Sequence, residues 1–509
     1  MDSSNKQIIR NSIFLYIRML LVMTVTLYTS RVVLEVLGVT DYGIYSIVGG
    51  VIVIFTFINQ AMATATQRYI TFELGKKNGN VSDVLSASIV IHFIMAIIII
   101  IMGETVGLWF INNQMNFPEK SMYAVNWTYQ MTIIGCVISI MQFPFNSLIL
   151  AQEKMDFFAY TGIIEVILRL AIVYLLMSIS SNKLIFYAIL MTIVSLILLI
   201  WYIIYCNSKF PEIKIHKISK KSTILEISKF SGWAMFGSAA NVGYQQGINV
   251  ILNIFYGVSI NAAVGIANQV NSAVTRFVSS FQQAINPQLI KNEASNSKER
   301  QISLIESSAK FSFLIMLFIS YPLMINLNYI VSIWLVTVPP MTISICQLII
   351  IGALIETISG PLWVSIFATG NIKTYQIVIS IILLLNIPLS YMSSYTGESP
   401  TVVFLIRILL FIVALFIRLL FLKHMIGLNI TAFTRKVLAP ISTIICSLGI
   451  ITFSFRDILY QQADFNSALF SILVSLFITG VLIYSIGLNP KERNTIASLI
   501  NAKIHKSHP

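Results

Sequence analysis

Apolar residues run along the chain in stretches of about twenty, each closed by a short polar or turn-rich break. Runs of that length match the hydrocarbon thickness of a bilayer crossed by a helix. Fourteen are counted, near 10–37, 43–66, 84–106, 123–150, 157–179, 183–206, 226–255, 259–286, 307–329, 341–368, 372–393, 400–422, 434–455 and 465–487. The brief "VSIWLVTVPP" between the ninth and tenth is too short to cross and is expected at the surface. None of the runs alternates apolar and polar residues as a barrel strand does, so every span is read as helix, the other structure that satisfies its own backbone in lipid.

The apolar runs are not alike. Spans three, six, nine, eleven and fourteen are nearly pure Ile, Leu, Val and Phe. Span seven carries Ser238, Asn241, Gln245, Asn249 and Asn253 at spacings of three and four, which is one helix face. Span eight carries Gln269, Ser272, Arg276, Ser280 and Gln283 on one face, with Asn268, Asn271 and Asn286 nearby. Span two holds Asn59, Gln60, Thr64 and Gln67. Two readings stand: amides bonding helix to helix, or helices lining a wet central cavity. Stripes as long as two adjacent helices favour the cavity.

Composition agrees with a polytopic membrane protein. Of 509 residues 57% are hydrophobic and 10% charged, against about 25% charged in soluble domains. The first run is too long for a secretory h-region and lacks a small-residue cleavage site, so no removable signal is expected. Cys136, Cys206, Cys346 and Cys446 lie far apart in or at the end of spans, which argues against a disulfide framework or a metal site. No cofactor is expected.

The net charge of +13 is a topology signal. With the N-terminus in the cytoplasm, outside loops hold only Lys120, Lys183 and Arg456, and six arginines fall within spans. All other basic residues are inside, as the positive-inside rule requires of a correct, even count. Both termini are then cytoplasmic, and a nucleic-acid partner becomes improbable. The longest inside segment, the basic 207–225, divides the chain into a six-helix bundle at 1–206 and a second at 226–424, followed by two extra helices and a tail at 425–509. Gly38-Val39-Thr40 after span one and Gly257-Val258-Ser259 after span seven mark corresponding places in the two halves. Paired six-helix repeats with substrate held between them are a transporter construction.

Arginine inside a span costs at least about 2.5 kcal/mol, so each needs a reason. Arg169 has Glu165 four residues before it and Arg31 has Glu35 four after. Arg418 lies near an interface and is read as snorkelling. Arg407 has no evident partner. Arg18 and Arg276 are well inside their spans with no acid three or four residues away. Thirteen residues separate Arg18 from Arg31, roughly 20 Å of rise and about 140° of turn, so they do not share one narrow stripe; Arg18 is the preferred lining residue. Glu356, alone in span ten, is a counter-ion for an arginine or a protonatable coupling group.

Fourteen spans as six, six and two, the Gly38–Gly43 junction continuing as "DYGIYSIVGG", and "NQAMATATQRYI" in span two resemble the polysaccharide flippases. These are Wzx-type transporters of O-antigen and capsule repeat units in the superfamily that also holds the MATE drug exporters, called MOP. The resemblance implies an all-α membrane fold of two six-helix pseudo-repeats plus two C-terminal helices, alternating access around a central cationic cavity, and a bacterial inner-membrane location. It implies as cargo an oligosaccharide on undecaprenyl diphosphate, moved from the cytoplasmic to the periplasmic leaflet, with H+ or Na+ as coupling ion. Arginines on helices one and eight are among the family's cavity lining, which by position implicates Arg18 and Arg276. A guanidinium grips a diphosphate with forked hydrogen bonds, sugar hydroxyls suit Asn and Gln, and the lipid tail can remain in the bilayer beside helices thirteen and fourteen. The expected substrate-binding set is Arg18, Arg31, Asn59, Gln60, Asn241, Gln245, Asn249, Gln269 and Arg276, with Glu356 as coupling candidate. A MATE-type exporter would want an intramembrane acid in helix one, where only Glu35 stands, at the outer edge. A lipid II flippase shares the diphosphate and is not separated by chemistry. No Walker A, HExxH, GxSxG or CxxC motif and no large outside loop support an enzyme.

Overall fold

A computed structural model describes residues 14–26, 56–76, 79–113, 122–179, 182–216, 221–295, 297–335, 338–455 and 464–490, with scattered positions at 28–48 and 492–494. Side chains of 56–61, 221–223, 258 and 262 lie outside the described set. Each of the fourteen expected spans overlaps a helix, the second only over residues 56–66. These are α1 (Phe14–Thr26), α2 (Thr56–Gly75), α3 (Val81–Asn113), α4 (Met122–Ala151), α5 (Met155–Met177), α6 (Lys183–Lys209), α7 (Lys221–Tyr256) and α8 (Val258–Ala294). They continue as α9 (Lys298–Ile325), α10 (Thr342–Thr369), α11 (Lys373–Tyr395), α12 (Pro400–Ile426), α13 (Ile430–Ser454) and α14 (Phe465–Gly487). The segment expected at the surface holds a short helix, Leu327–Trp334, that stops where Leu335 turns extended.

Ten of these helices, α3–α6 and α9–α14, are long and apolar enough to cross a membrane. The protein is a multi-pass membrane protein. α7 and α8 are longer still but less apolar, because they carry the polar stripes read from the sequence. Burial follows the stripes. On α7 Ala240, Tyr244, Ile248 and Leu252 are buried while Asn241, Gln245 and Asn253 are exposed; on α8 Ala263, Ala267, Val274 and Val278 are buried while Gln269, Ser272 and Arg276 are exposed.

Gly257 joins α7 to α8 with φ +79°, and its N–H closes α7 on the carbonyl of Asn253 at 3.0 Å. A left-handed residue ending a helix is where glycine has its advantage, since other L-residues there cost about 1–2 kcal/mol. The matching Gly38–Thr40 lies outside the described residues.

Contacts divide the chain into two compact units: 9–239 with 290–296, and 240–289 with 297–509. The division falls inside α7, between Ala239 and Ala240. In the first unit α4 packs on α6, α2 and α3. Val32, Val33 and Leu37 close a core against Ile172, Val173, Leu176 and Leu198. In the second unit α10 packs on α9 and α12, and α9 on α14. The last two helices are the least buried of the ten apolar spans among the described residues. Lys310–Glu492 at 2.7 Å and Lys436–Glu306 at 2.8 Å fasten them to α9. Lys310 and Lys436, both expected on the inner side of the membrane, thus pair at the same end of α9.

Part of the basic segment is ordered along the start of α3. The backbone N–H groups of Lys214 and His216 donate to Ser82 and Ser86, each at 3.1 Å, and the His216 ring meets Asp83 at 2.6 Å. The hydrogen bond to Asp83, then that to the Lys214 carbonyl, raise the His216 pKa above its usual 6.5. The protonated ring therefore contributes fully below about pH 6.5 and is lost as pH climbs through the higher folded value. Hydrogen exchange over 210–216 is expected to be slower at pH 6 than at pH 8.5, and His216→Ala to abolish that difference; equal pH dependence in the variant would refute it.

Candidate substrate-binding site

Arg18 lies within the first unit. Its guanidinium sits over the Phe158 ring at 4.2 Å, packs against Gly162 of α5, and feels the charge of Glu165. Its Nε is buried with no acceptor among the described residues. Glu165 is engaged elsewhere: its carboxylate takes two hydrogen bonds from Arg169, at 2.7 and 3.1 Å, as the four-residue spacing predicted. Gly162 is required by this approach, since an added Cβ would run into the Arg18 Nε. Gly162→Ala is expected to lower the melting temperature by several degrees, and Arg18→Ala in the same chain to restore part of it; an unchanged single variant would place Arg18 elsewhere. Arg31, and the side chains of Asn59 and Gln60, lie outside the described residues.

In the second unit the predicted amides of α7 act in pairs: Gln245 donates to Asn241 at 2.6 Å, and Asn249 to Gln246 at 3.3 Å. Gln245 and Asn249 line a small polar cavity of about 40 Å³ with Asn268 of α8, Asn386 of α11 and Arg407 of α12. Arg407, which has no partner evident along its own helix, takes its place here. Gln269 and Arg276 are exposed on the α8 stripe, away from that cavity, and Arg276 makes no ion pair among the described residues.

Glu356 has a partner in this unit. Arg418 reaches it at 3.1 and 3.4 Å, and donates through Nε to the Tyr375 hydroxyl at 3.2 Å. Arg418 is 4% exposed, which corrects its reading as a snorkelling residue. Its depth along α12 allowed either, but a tyrosine from α11 and a carboxylate from α10 give it polar partners indoors. An apolar cavity of about 870 Å³ lies between α9, α10 and α13, lined by Leu317, Tyr321, Met324, Leu354, Leu448 and Phe453.

A family model described as polysaccharide biosynthesis protein matches residues 8–293, more than half of the chain. The chain belongs to that family. No curated protein sequence matches it. Among solved structures, an outward-facing multidrug resistance MATE family transporter of the MOP superfamily is similar with TM-score 0.69 at 13% identity, covering 83% of this chain and 96% of that one. A MOP superfamily transporter from Pyrococcus furiosus, described as having a binding pocket of reversed polarity, gives TM-score 0.67 at 13% identity over 83% and 96%. A MATE protein in a straight conformation gives 0.67 at 15% over 85% and 97%. At such identity these neighbours establish the fold alone, and it is the MOP transporter fold. Family and fold together point to a transporter of the MOP-like polysaccharide flippase class.

Proposed function

We propose that this protein moves undecaprenyl-diphosphate-linked oligosaccharide repeat units from the cytoplasmic to the periplasmic leaflet of a bacterial inner membrane by alternating access. The observation that carries the reading is a set of membrane-embedded arginines, Arg18, Arg276 and Arg407, without carboxylate ion pairs among the described residues. Each stands in a helix of a polysaccharide-family chain. A cation left uncompensated at that depth is stable when its counter-charge arrives with the cargo, and a diphosphate supplies it. The exposed amides Asn241, Gln245 and Gln269, with the half-buried Asn249, offer donors and acceptors to sugar hydroxyls. The apolar cavity beside α13 suits a polyprenyl tail, its lining being almost wholly hydrocarbon. Glu356 remains the coupling candidate, for H+ or Na+, through its exchange with Arg418.

A MATE-type exporter has no comparable support, because the only acid read in helix one, Glu35, lies at its outer end. Cells lacking this protein are expected to lose surface polysaccharide and to accumulate lipid-linked repeat units on the cytoplasmic face. Unchanged polysaccharide together with new sensitivity to cationic drugs would favour the exporter.

A further inference from the structure

Of the two arginines within α12, one has no carboxylate among the described residues. Arg407 and Arg418 are eleven residues apart on α12, which is three turns, about 16 Å of rise on nearly one face. Both oxygens of Glu356 go to Arg418. Glu356 is near enough to bear on Tyr244, but Arg407 makes no ion pair among the described residues. Its guanidinium is instead flanked by the rings of Phe411 at 5.1 Å and Tyr244 at 5.8 Å. The Tyr244 hydroxyl takes one of its hydrogen bonds, while its Nε is buried without an acceptor among the described residues.

The adjoining cavity has the composition of an acceptor's seat. The Asn386 oxygen already accepts from Ser390 at 2.9 Å, leaving its NH2 as the remaining polar group. That amide lies where it does because α11 is interrupted at Leu385: Pro388 has no N–H for the carbonyl four residues back, at Leu384. Asn249 and Asn268 complete the polar lining. A volume of about 40 Å³ exceeds the roughly 10–15 Å³ that seats one water, so a phosphate oxygen fits beside Arg407.

We propose that Arg407 is the centre of an oxyanion seat in the second unit, taking one non-bridging oxygen of a phosphate or diphosphate. The proposal deepens the flippase reading and rests on it only for the source of the oxyanion, a lipid head group. A guanidinium edge with an amide NH2 prefers such an oxygen to water by charge-assisted hydrogen bonding.

Inorganic pyrophosphate, titrated against purified full-length protein in nanodiscs, with sodium chloride at equal ionic strength as control, tests the seat through the melting temperature. Pyrophosphate is expected to raise it in the wild type, chloride is not, and Arg407→Gln is expected to weaken the response at least about tenfold, the loss of one charged donor. Arg407→Lys should fall between. If Arg407→Gln does not fold, Asn386→Ala keeps the arginine and should still weaken the response. A wild-type response in these variants, or an equal response to chloride, would overturn the seat. Nanodiscs carrying a polyprenyl-diphosphate lipid should shift the pyrophosphate titration to higher concentration. No shift would overturn the head-group source. Normal flipping of lipid-linked sugar in Arg407→Gln would sink the seat and spare the flippase, whereas absent flipping in a wild type that binds pyrophosphate through Arg407 would do the reverse.

Discussion

Glu356→Gln is expected to be among the most damaging single changes in the second unit. It removes the carboxylate from Arg418, which is 4% exposed and has only the Tyr375 hydroxyl besides. Breaking a wholly buried ion pair costs about 3–5 kcal/mol; with the Glu356 side chain 39% exposed, about 2–3 kcal/mol is the fitting figure. A fall of several degrees in melting temperature in detergent checks this. Replacing both partners, Glu356→Leu with Arg418→Met, should recover most of the stability, because the buried cation goes with its counter-ion. The double variant also separates two roles. If it restores stability and ion-driven transport together, Glu356 is a counter-ion alone. If it restores stability while transport no longer depends on the ion gradient, Glu356 carries the coupling.

The second large effect is expected at Arg276. Its side chain is exposed on α8 without an ion pair among the described residues, so Arg276→Ala should leave expression and melting temperature as they are. If the guanidinium holds a phosphate, transport should fall about 10- to 100-fold, the worth of one hydrogen bond to a charged group, and Arg276→Lys should keep part of the rate. Wild-type transport in Arg276→Ala would remove it from the cationic path. Arg18→Ala is expected to reduce transport likewise, but with some loss of stability, since its contact with Phe158 is worth about 0.5–2 kcal/mol.

What the sequence made legible was periodic or local. The stripes on α7 and α8, the Glu165–Arg169 pair and the glycine turn at Gly257 all follow from spacing along one helix, and spacing is what a linear chain displays. Arg418 and Arg407 were not legible in the same way. Their surroundings come from α7, α10 and α11, tens to over a hundred residues distant, and Asn386 joins the cavity lined by Arg407 at a break in α11. The spacing of eleven between the two arginines was a usable signal that they share a face. It did not say which of them Glu356 would choose.

The account is tested most directly by reconstitution. Purified protein in liposomes carrying an undecaprenyl-diphosphate-linked oligosaccharide in both leaflets would be probed from outside with a membrane-impermeant glycosidase. Access to nearly all of the lipid-linked sugar, at a rate that depends on Arg276, is the predicted result. Access that stops at about half, as in protein-free liposomes, would contradict it.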